Sequence, residues 1–469
     1  MLRRLVAVIA VGALAMSGCG SKLSDDELLA ADHLGGSFGG VGIGGAGGST
    51  SGAAATGANG SAGSSGAAAR NPDAPGGDAG SVPGLDAPAP EGGNGGATDV
   101  GVDEDSITLG TITTLTGPVP GLFRGAALGT QACAARVNAA GGLFGRSLEV
   151  DVGDDQANEN QVRAQTERLI PEAFAFVGSF SLFDGAMVGP IEEAGVPDIG
   201  NALQPERYAT ALNWSPQPVP PGWQTGGLTY LRGAFPEASQ AVGLLGSENA
   251  PTQNAGIRAV LSQLGYRLVY DATFGATTQD FTAQVFRMKT AGVRFLIVTG
   301  DAPTYAEILQ AADQQDLALD VFSPISNAYD ARFLQLAGEL AEGTIVYAPH
   351  VLYAGEDAAS VPEAGEFTTW LSRVDPNAIP DVFAIFGWTS CQLFVEAAIA
   401  VGPNLTRAAL RAALGAITTF DGNGLLAPAN PAAKEPPTCY LMLEVRGGRW
   451  QRRDSPADAY RCDGGYLRL

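Results

Sequence analysis

From Ser106 onward, short β-branched or apolar runs alternate with helical segments of ordinary length, in two successive series. The first places strands at Ile107–Ile112, Leu148–Val152, Phe174–Val177 and Val196–Ile199, with helices predicted over Gly125–Ala140 and Asn160–Ile170. The second opens with a strand at Ala241–Leu245. A helix follows with Ile257, Leu261 and Leu264 at i, i+4, i+7, then a strand at Leu268–Thr273. A helix capped near Asp280 ends at Gly292, and Phe295–Val298 is an almost wholly apolar strand. Apolar strands separated by helices belong to parallel sheets covered on both faces. Two such series give an α/β chain of two Rossmann-like lobes. Between them Pro216-Gln217-Pro218-Val219-Pro220-Pro221 is too rich in proline for regular structure and suits an interlobe crossing. Further on come a long helical tract, Pro380–Val401, another at Asn404–Leu414, and a β pattern at Tyr440–Val445 that turns at Gly447-Gly448.

The first hundred residues follow a different logic. Arg3 and Arg4 precede an apolar run, Leu5–Ala15, too short for a membrane span. It leads into Met16-Ser17-Gly18-Cys19, the pattern of a lipoprotein signal, so residues 1–19 read as signal peptide and lipobox with Cys19 the lipidated residue. Residues 20–103 are dominated by Gly, Ala, Ser and Pro. Such sequence buries too little apolar surface to offset the entropy of ordering, and reads as a disordered tether with a span of about 50 Å. A Gly35–Gly39 match to a nucleophile elbow and a Gly40–Gly45 match to a dinucleotide fingerprint lie inside this tract. Neither has the strand–turn–helix context that gives it meaning. No later segment reads as a membrane span.

Counts of particular residues narrow the chemistry. A net charge of −22 without any basic stripe argues against nucleic acid as a partner. Of two histidines, His33 is in the tether, leaving His350 alone in the folded region. A multi-histidine metal site is thereby excluded, and a catalytic triad would have a single histidine to use. Neither a metal, a cofactor nor catalytic residues are expected. Besides Cys19 there are four cysteines, which permit three pairings. Cys439–Cys462, close in sequence, is the preferred bridge, leaving Cys133–Cys391.

The motifs of the folded region resemble, in order, those of type I periplasmic solute-binding proteins serving branched-chain amino acid and amide ABC importers. The matching segments are Ile107–Gly110 with Leu115-Thr116-Gly117-Pro118, Val137–Arg146, Asp154-Asp155-Gln156, Val177-Gly178-Ser179, Gly195-Val196-Pro197 and Gln279-Asp280-Phe281. The resemblance covers about Ser106–Trp450. It implies two lobes joined by a multi-strand hinge: lobe 1 from 104–217 and 349–420, lobe 2 from 218–348, and a C-terminal segment, 421–469, belonging to lobe 2 and the hinge. It further implies an extracytoplasmic monomer on a lipid anchor. Such a protein would capture a small solute by hinge closure and deliver it to a membrane permease, without enzymatic activity. The same fold also reads ligands for signalling receptors, and a ligand-free surface role stays open beside it.

In that family, small hydroxyl residues after the third and fourth strands hold the ligand's carboxylate. The matching positions here are Ser179, Ser181, Ala202 and Gln204. From lobe 2, Asp301 falls near the expected aromatic and offers itself as the acid for an ammonium, and Ser326 lies on the loop that lacks the usual acid. Asp301 also reads as a plain helix cap. Phe123, Phe183 and Trp223 are apolar wall candidates that would serve equally as core.

Overall fold

A computed structural model describes residues 93–275, 278–453 and 459–469. Cys19, His33 and the tether up to residue 92 lie outside the described residues.

Lobe 1 starts with β1 (Ser106–Thr113), α1 (Arg124–Ala139), β2 (Ser147–Asp154), α2 (Glu159–Leu169) and β3 (Ala175–Val177). It continues through α3 (Val188–Ala194), β4 (Asp198–Ile199), α4 (Pro205–Ala209) and β5 (Asn213–Trp214). The strands form one parallel sheet in the order β2-β1-β3-β4-β5. Lobe 2 carries β6 (Gly222–Gln224), α5 (Gly226–Ala234), β7 (Val242–Ser247), α6 (Pro251–Gln263) and β8 (Leu268–Phe274). After these come α7 (Thr282–Ala291), β9 (Phe295–Thr299), α8 (Ala302–Gln314), β10 (Val321–Pro324), α9 (Ala331–Ala337) and β11 (Ile345–Ala348). Its parallel sheet runs β10-β9-β7-β8. The first strand of each sheet is flanked by the second on one side and the third on the other. Each sheet therefore has a topological switch point, β1/β3 and β7/β9, where loops at the carboxyl ends diverge and leave a crevice.

The chain then returns to lobe 1 as α10 (Pro362–Val374), α11 (Val382–Val401) and α12 (Arg407–Leu414), with α10 and α11 against α1. The α1/α11 seam is very close. A Cβ on Gly129 would meet the Ala384 carbonyl at 1.9 Å, and one on Gly387 the Ala126 carbonyl at 2.0 Å. Cys133 and Cys391 are bonded across this same seam, with Cα atoms 6.1 Å apart. α11 is long and apolar enough to cross a bilayer, unlike anything expected from sequence. However, 72% of its most apolar window is buried, and it serves as the core helix of lobe 1. The chain ends with the hairpin β12 (Leu441–Arg446) and β13 (Arg449–Arg452), antiparallel beside β11, and with β14 (Tyr466–Arg468) on β6. Cys439 is bonded to Cys462 within this C-terminal region.

Three stretches join the lobes, and they are bonded to one another. Gln217 Nε2 donates to the Pro349 carbonyl at 2.6 Å. Ala427 N donates to the same carbonyl and Val351 N to that of Leu425, with His350 and Leu426 bridged between them.

Two boundaries differ from those read in the sequence. Residues 94–103 do not belong with the tether, because the buried Arg146 donates to the carbonyls of Asn94, Gly96, Asp103 and Pro403 and fixes them on lobe 1. The second concerns the start of the C-terminal segment. Lys434 Nζ donates to the Thr210 carbonyl at 2.6 Å, and Tyr208 Oη to that of Lys434, so residues near 434 still pack on lobe 1. The segment reaches lobe 2 only at Pro437, whose carbonyl accepts from Gln224.

The Asp154-Asp155 pair has a scaffold role. Asp154 Oδ1 accepts from the Leu115 and Thr116 amides, and Asp155 Oδ1 from the Thr114 hydroxyl, pinning the turn after β1.

Candidate functional site

Between the lobes, at the carboxyl ends of both sheets, lies a cavity of about 290 Å³. Lobe 1 supplies Phe123 from the loop after β1, Phe180 and Leu182 after β3, and Asn201, Ala202 and Leu203 after β4. Val382, Phe383 and Phe386 come from the first turns of α11. Phe123 stands edge-on to both Phe180 and Phe383, with ring centroids 4.8 Å apart in each pair, and Phe180 stacks on Phe386 at 5.7 Å. Such offset and edge contacts add roughly 0.5–1.5 kcal/mol each beyond area burial.

A buried charge cluster fixes this wall from behind. Arg207 has no exposed surface. Its Nε and Nη2 reach Asp198 at 2.8 and 2.7 Å, and its Nη1 reaches Asp184 at 3.3 Å and the carbonyls of Ser179 and Asn201. Asp184 in turn accepts from the Leu203 and Gln204 amides at 2.7 and 2.9 Å. The loops after β3 and β4 are thus both tied to one guanidinium. Burial pushes the Asp184 carboxyl up to about 6, against the pull of Arg207.

Lobe 2 supplies a more polar wall: Ser247, Asn249 and Gln253 after β7, Asp301 and Thr304 after β9, Ser326 and Asn327 after β10. Its loops are braced by neutral hydrogen bonds. Asn254 Nδ2 donates to the Ser247 carbonyl and Thr299 Oγ1 to Asn254 Oδ1. The buried Tyr305 hydroxyl lies 2.7 Å from the Gly300 carbonyl and 2.6 Å from Asn327 Oδ1. Asp301 caps α8, accepting from Thr304 N at 3.1 Å through Oδ1. Among the described residues it is the one lining residue with an ionisable side chain, and no described Lys, Arg or His lines the cavity. Trp223 and Phe274 close the apolar part on this side, Trp223 donating to the Tyr347 hydroxyl.

Of the nine ligand candidates read from sequence, five line the cavity: Phe123, Ala202, Trp223, Asp301 and Ser326. The other four are used elsewhere. Ser179 Oγ accepts from Ile112 N at 2.9 Å, and Ser181 Oγ from Phe183 N at 3.1 Å. Gln204 Oε1 accepts from Gly185 N at 2.8 Å, and the Phe183 ring packs into the core around Met187 and Ile191. Alternation along the extended segment explains the outcome, since turning Ser179 and Ser181 inward presents Phe180 and Leu182 to the cleft. Sequence reasoning passed over those two and also Asn201, Phe383 and Phe386. The i, i+3 spacing of Phe383 and Phe386 directly after a helix cap was the available signal.

Two further features lie where the lobes meet, outside the cavity lining. Arg332 on α9 of lobe 2 reaches Asp381, the N-cap of α11 in lobe 1, at 3.2 Å. Burial pushes Asp381 up to about 6, partly countered by its hydrogen bond from Ala384 N and by Arg332. His350, in the hinge, is fully buried; its Nδ1 sits 3.0 Å from the Val351 carbonyl and burial pushes it down to about 4. Among the described residues no group of three or more metal-ligating side chains occurs.

The family model for periplasmic binding proteins matches residues 106–449. "Leu/Ile/Val-binding protein homolog 2" of Brucella abortus is 24% identical over 314 residues, 64% of this chain and 79% of that one. Among solved structures, a fatty acid ABC transporter substrate-binding protein from Thermomonospora curvata superposes with a TM-score of 0.63 at 19% identity, covering 79% of this chain and 97% of that one. A branched-chain amino acid transporter substrate-binding protein from Streptococcus pneumoniae, bound to isoleucine, gives 0.59 at 18% identity, with 74% and 98% covered. At such identities the structural likeness establishes the fold. With the family model spanning both lobes, the chain belongs to the periplasmic binding protein family.

Proposed function

We propose that this chain is the exported solute-capturing component of an ABC importer, held to the membrane through a lipid on Cys19 and working as a monomer. It traps a small organic molecule between its lobes and presents the closed form to a permease. The observation that carries this reading is the cavity itself. Two sheets of like topology, joined by three bonded crossings, direct the loops at their switch points onto one open cleft. Pockets of a few hundred Å³ lined by apolar side chains and a few polar groups are the usual form of a small-molecule site. No covalent step is needed; affinity comes from apolar surface and hydrogen bonds desolvated on closure.

The test is thermal denaturation of the full-length protein against amino acids, amides, small carboxylates, polyamines and aromatic acids, with X-ray scattering on any hit. A ligand at 100 times its Kd adds about 2.7 kcal/mol, a shift of several degrees, and closure should shrink the radius of gyration. Silence across the panel would count against the reading.

A further inference from the structure

Resting on the proposal that the cleft captures a solute, we infer that its ligand is an organic cation, an ammonium-bearing molecule with an aromatic or bulky apolar body, and not an amino acid or a carboxylate. Three independent features lead there. First, among the described residues the sole ionisable side chain in the lining is Asp301, and only one of its oxygens is engaged, with Thr304 N. Second, Asn201 is 4% exposed and lines the cavity with its Oδ1 lacking any partner, while its Nδ2 is already turned to the Gln217 carbonyl. A buried acceptor left unmatched is costly, and a donor on the ligand would satisfy it. Third, six aromatic rings, those of Phe123, Phe180, Trp223, Phe274, Phe383 and Phe386, border the cavity. Aromatic faces attract cations, most strongly when desolvated.

The same inventory disfavours an anion. A carboxylate would enter beside Asp301 and meet no cationic side chain among the described lining residues, with a large desolvation penalty and like-charge repulsion. The helix starts at the cavity offer it little. Asp301 and Asp381 already cap α8 and α11, and only α6, which opens at Pro251 without a side-chain cap, presents free first-turn amides. The hydroxyls of Ser179 and Ser181 are turned into the scaffold.

The experiment is titration calorimetry of the full-length protein with three probes: 2-phenylethylamine, 3-phenylpropionate and leucine. The expected result is that the amine binds about tenfold or more tighter than either of the others. Asp301→Asn, which keeps a good helix cap, should weaken the amine by about 10- to 100-fold and leave the unliganded melting temperature unchanged. Tighter binding of phenylpropionate or leucine, or an Asp301→Asn variant that holds the amine as well as the parent, overturns the inference and leaves the solute-capture reading standing. If all three probes fail, an anionic or zwitterionic hit from the wider panel overturns the inference alone, and a cationic hit upholds it. Silence across both sets overturns the two readings together.

Discussion

Lobe 1 meets the cleft with Phe123, Phe180, Phe383 and Phe386, lobe 2 with Asn249, Gln253, Asp301 and Ser326, although both walls stand on parallel sheets of like order. Their bracing differs as well. The aromatic wall is tied to a buried guanidinium with two carboxylates and to a helix seam crossed by a disulfide. The polar wall is tied by neutral hydrogen bonds among Asn254, Thr299, Tyr305 and Asn327. The contrast separates two tasks. In the proposed role, the apolar wall would hold the body of a solute through area and shape, and the opposite wall would read its polar end by directed bonds. The fold supplies the place for both, and the loops at the sheet ends divide the work between them.

Removing the brace of the aromatic wall should have the largest effect. Arg207→Leu leaves Asp184 and Asp198 buried without their partner and should cost about 3–5 kcal/mol in urea unfolding. A loss below about 1 kcal/mol would break the contrast, since the charged brace would then be no stronger than the neutral one. The seam between the walls comes next. His350 is held neutral by burial, with its pKa lowered from 6.5 to about 4. The unfolded chain therefore binds more protons between those values, and the stability is full above about pH 6.5 and lost as the pH falls toward 4. Between pH 7 and 4 the parent should lose about 3 kcal/mol more than His350→Phe does, followed by denaturant unfolding at each pH. Equal losses in the two proteins would show the hinge histidine solvated. The smallest effect belongs to the pair that joins the walls directly. Arg332 is partly exposed but pairs with the buried Asp330 as well as Asp381, so Arg332→Ala should cost about 1–2 kcal/mol and weaken solute binding at most about fivefold by calorimetry. A larger loss would make this pair a principal holder of the closed form.

Much of the scaffold was legible in the sequence because its signals are local. The alternation of apolar strands and periodic helices marks both lobes, Gly292 ends α7 in the left-handed conformation, and Asp301 opens α8. Less local features escaped. The pairing of β11 with β12 joins residues about a hundred positions apart, and α10 lies between a crossing and a cap with little to announce it. At the site, residue type was a poor guide. Hydroxyls suit a carboxylate, but one backbone amide each has prior claim on Ser179 and Ser181. Which side of a strand end faces the cleft depends on register against β1, and Phe180 bonding to Ile112 through its amide sets that register. Asp301 survived as a candidate because a cap and a ligand group can be the same carboxylate using different oxygens.

The three crossings have a mechanical consequence. A single linker would let the lobes swing, slide and twist, and each approach would bring different side chains face to face. Here residues near Gln217, Pro349 and Leu426 lie bonded side by side, like a door hung on three pins. Such a joint bends about one line and resists torsion, so the closure proposed above would return Asp301 to the same place opposite the phenylalanines.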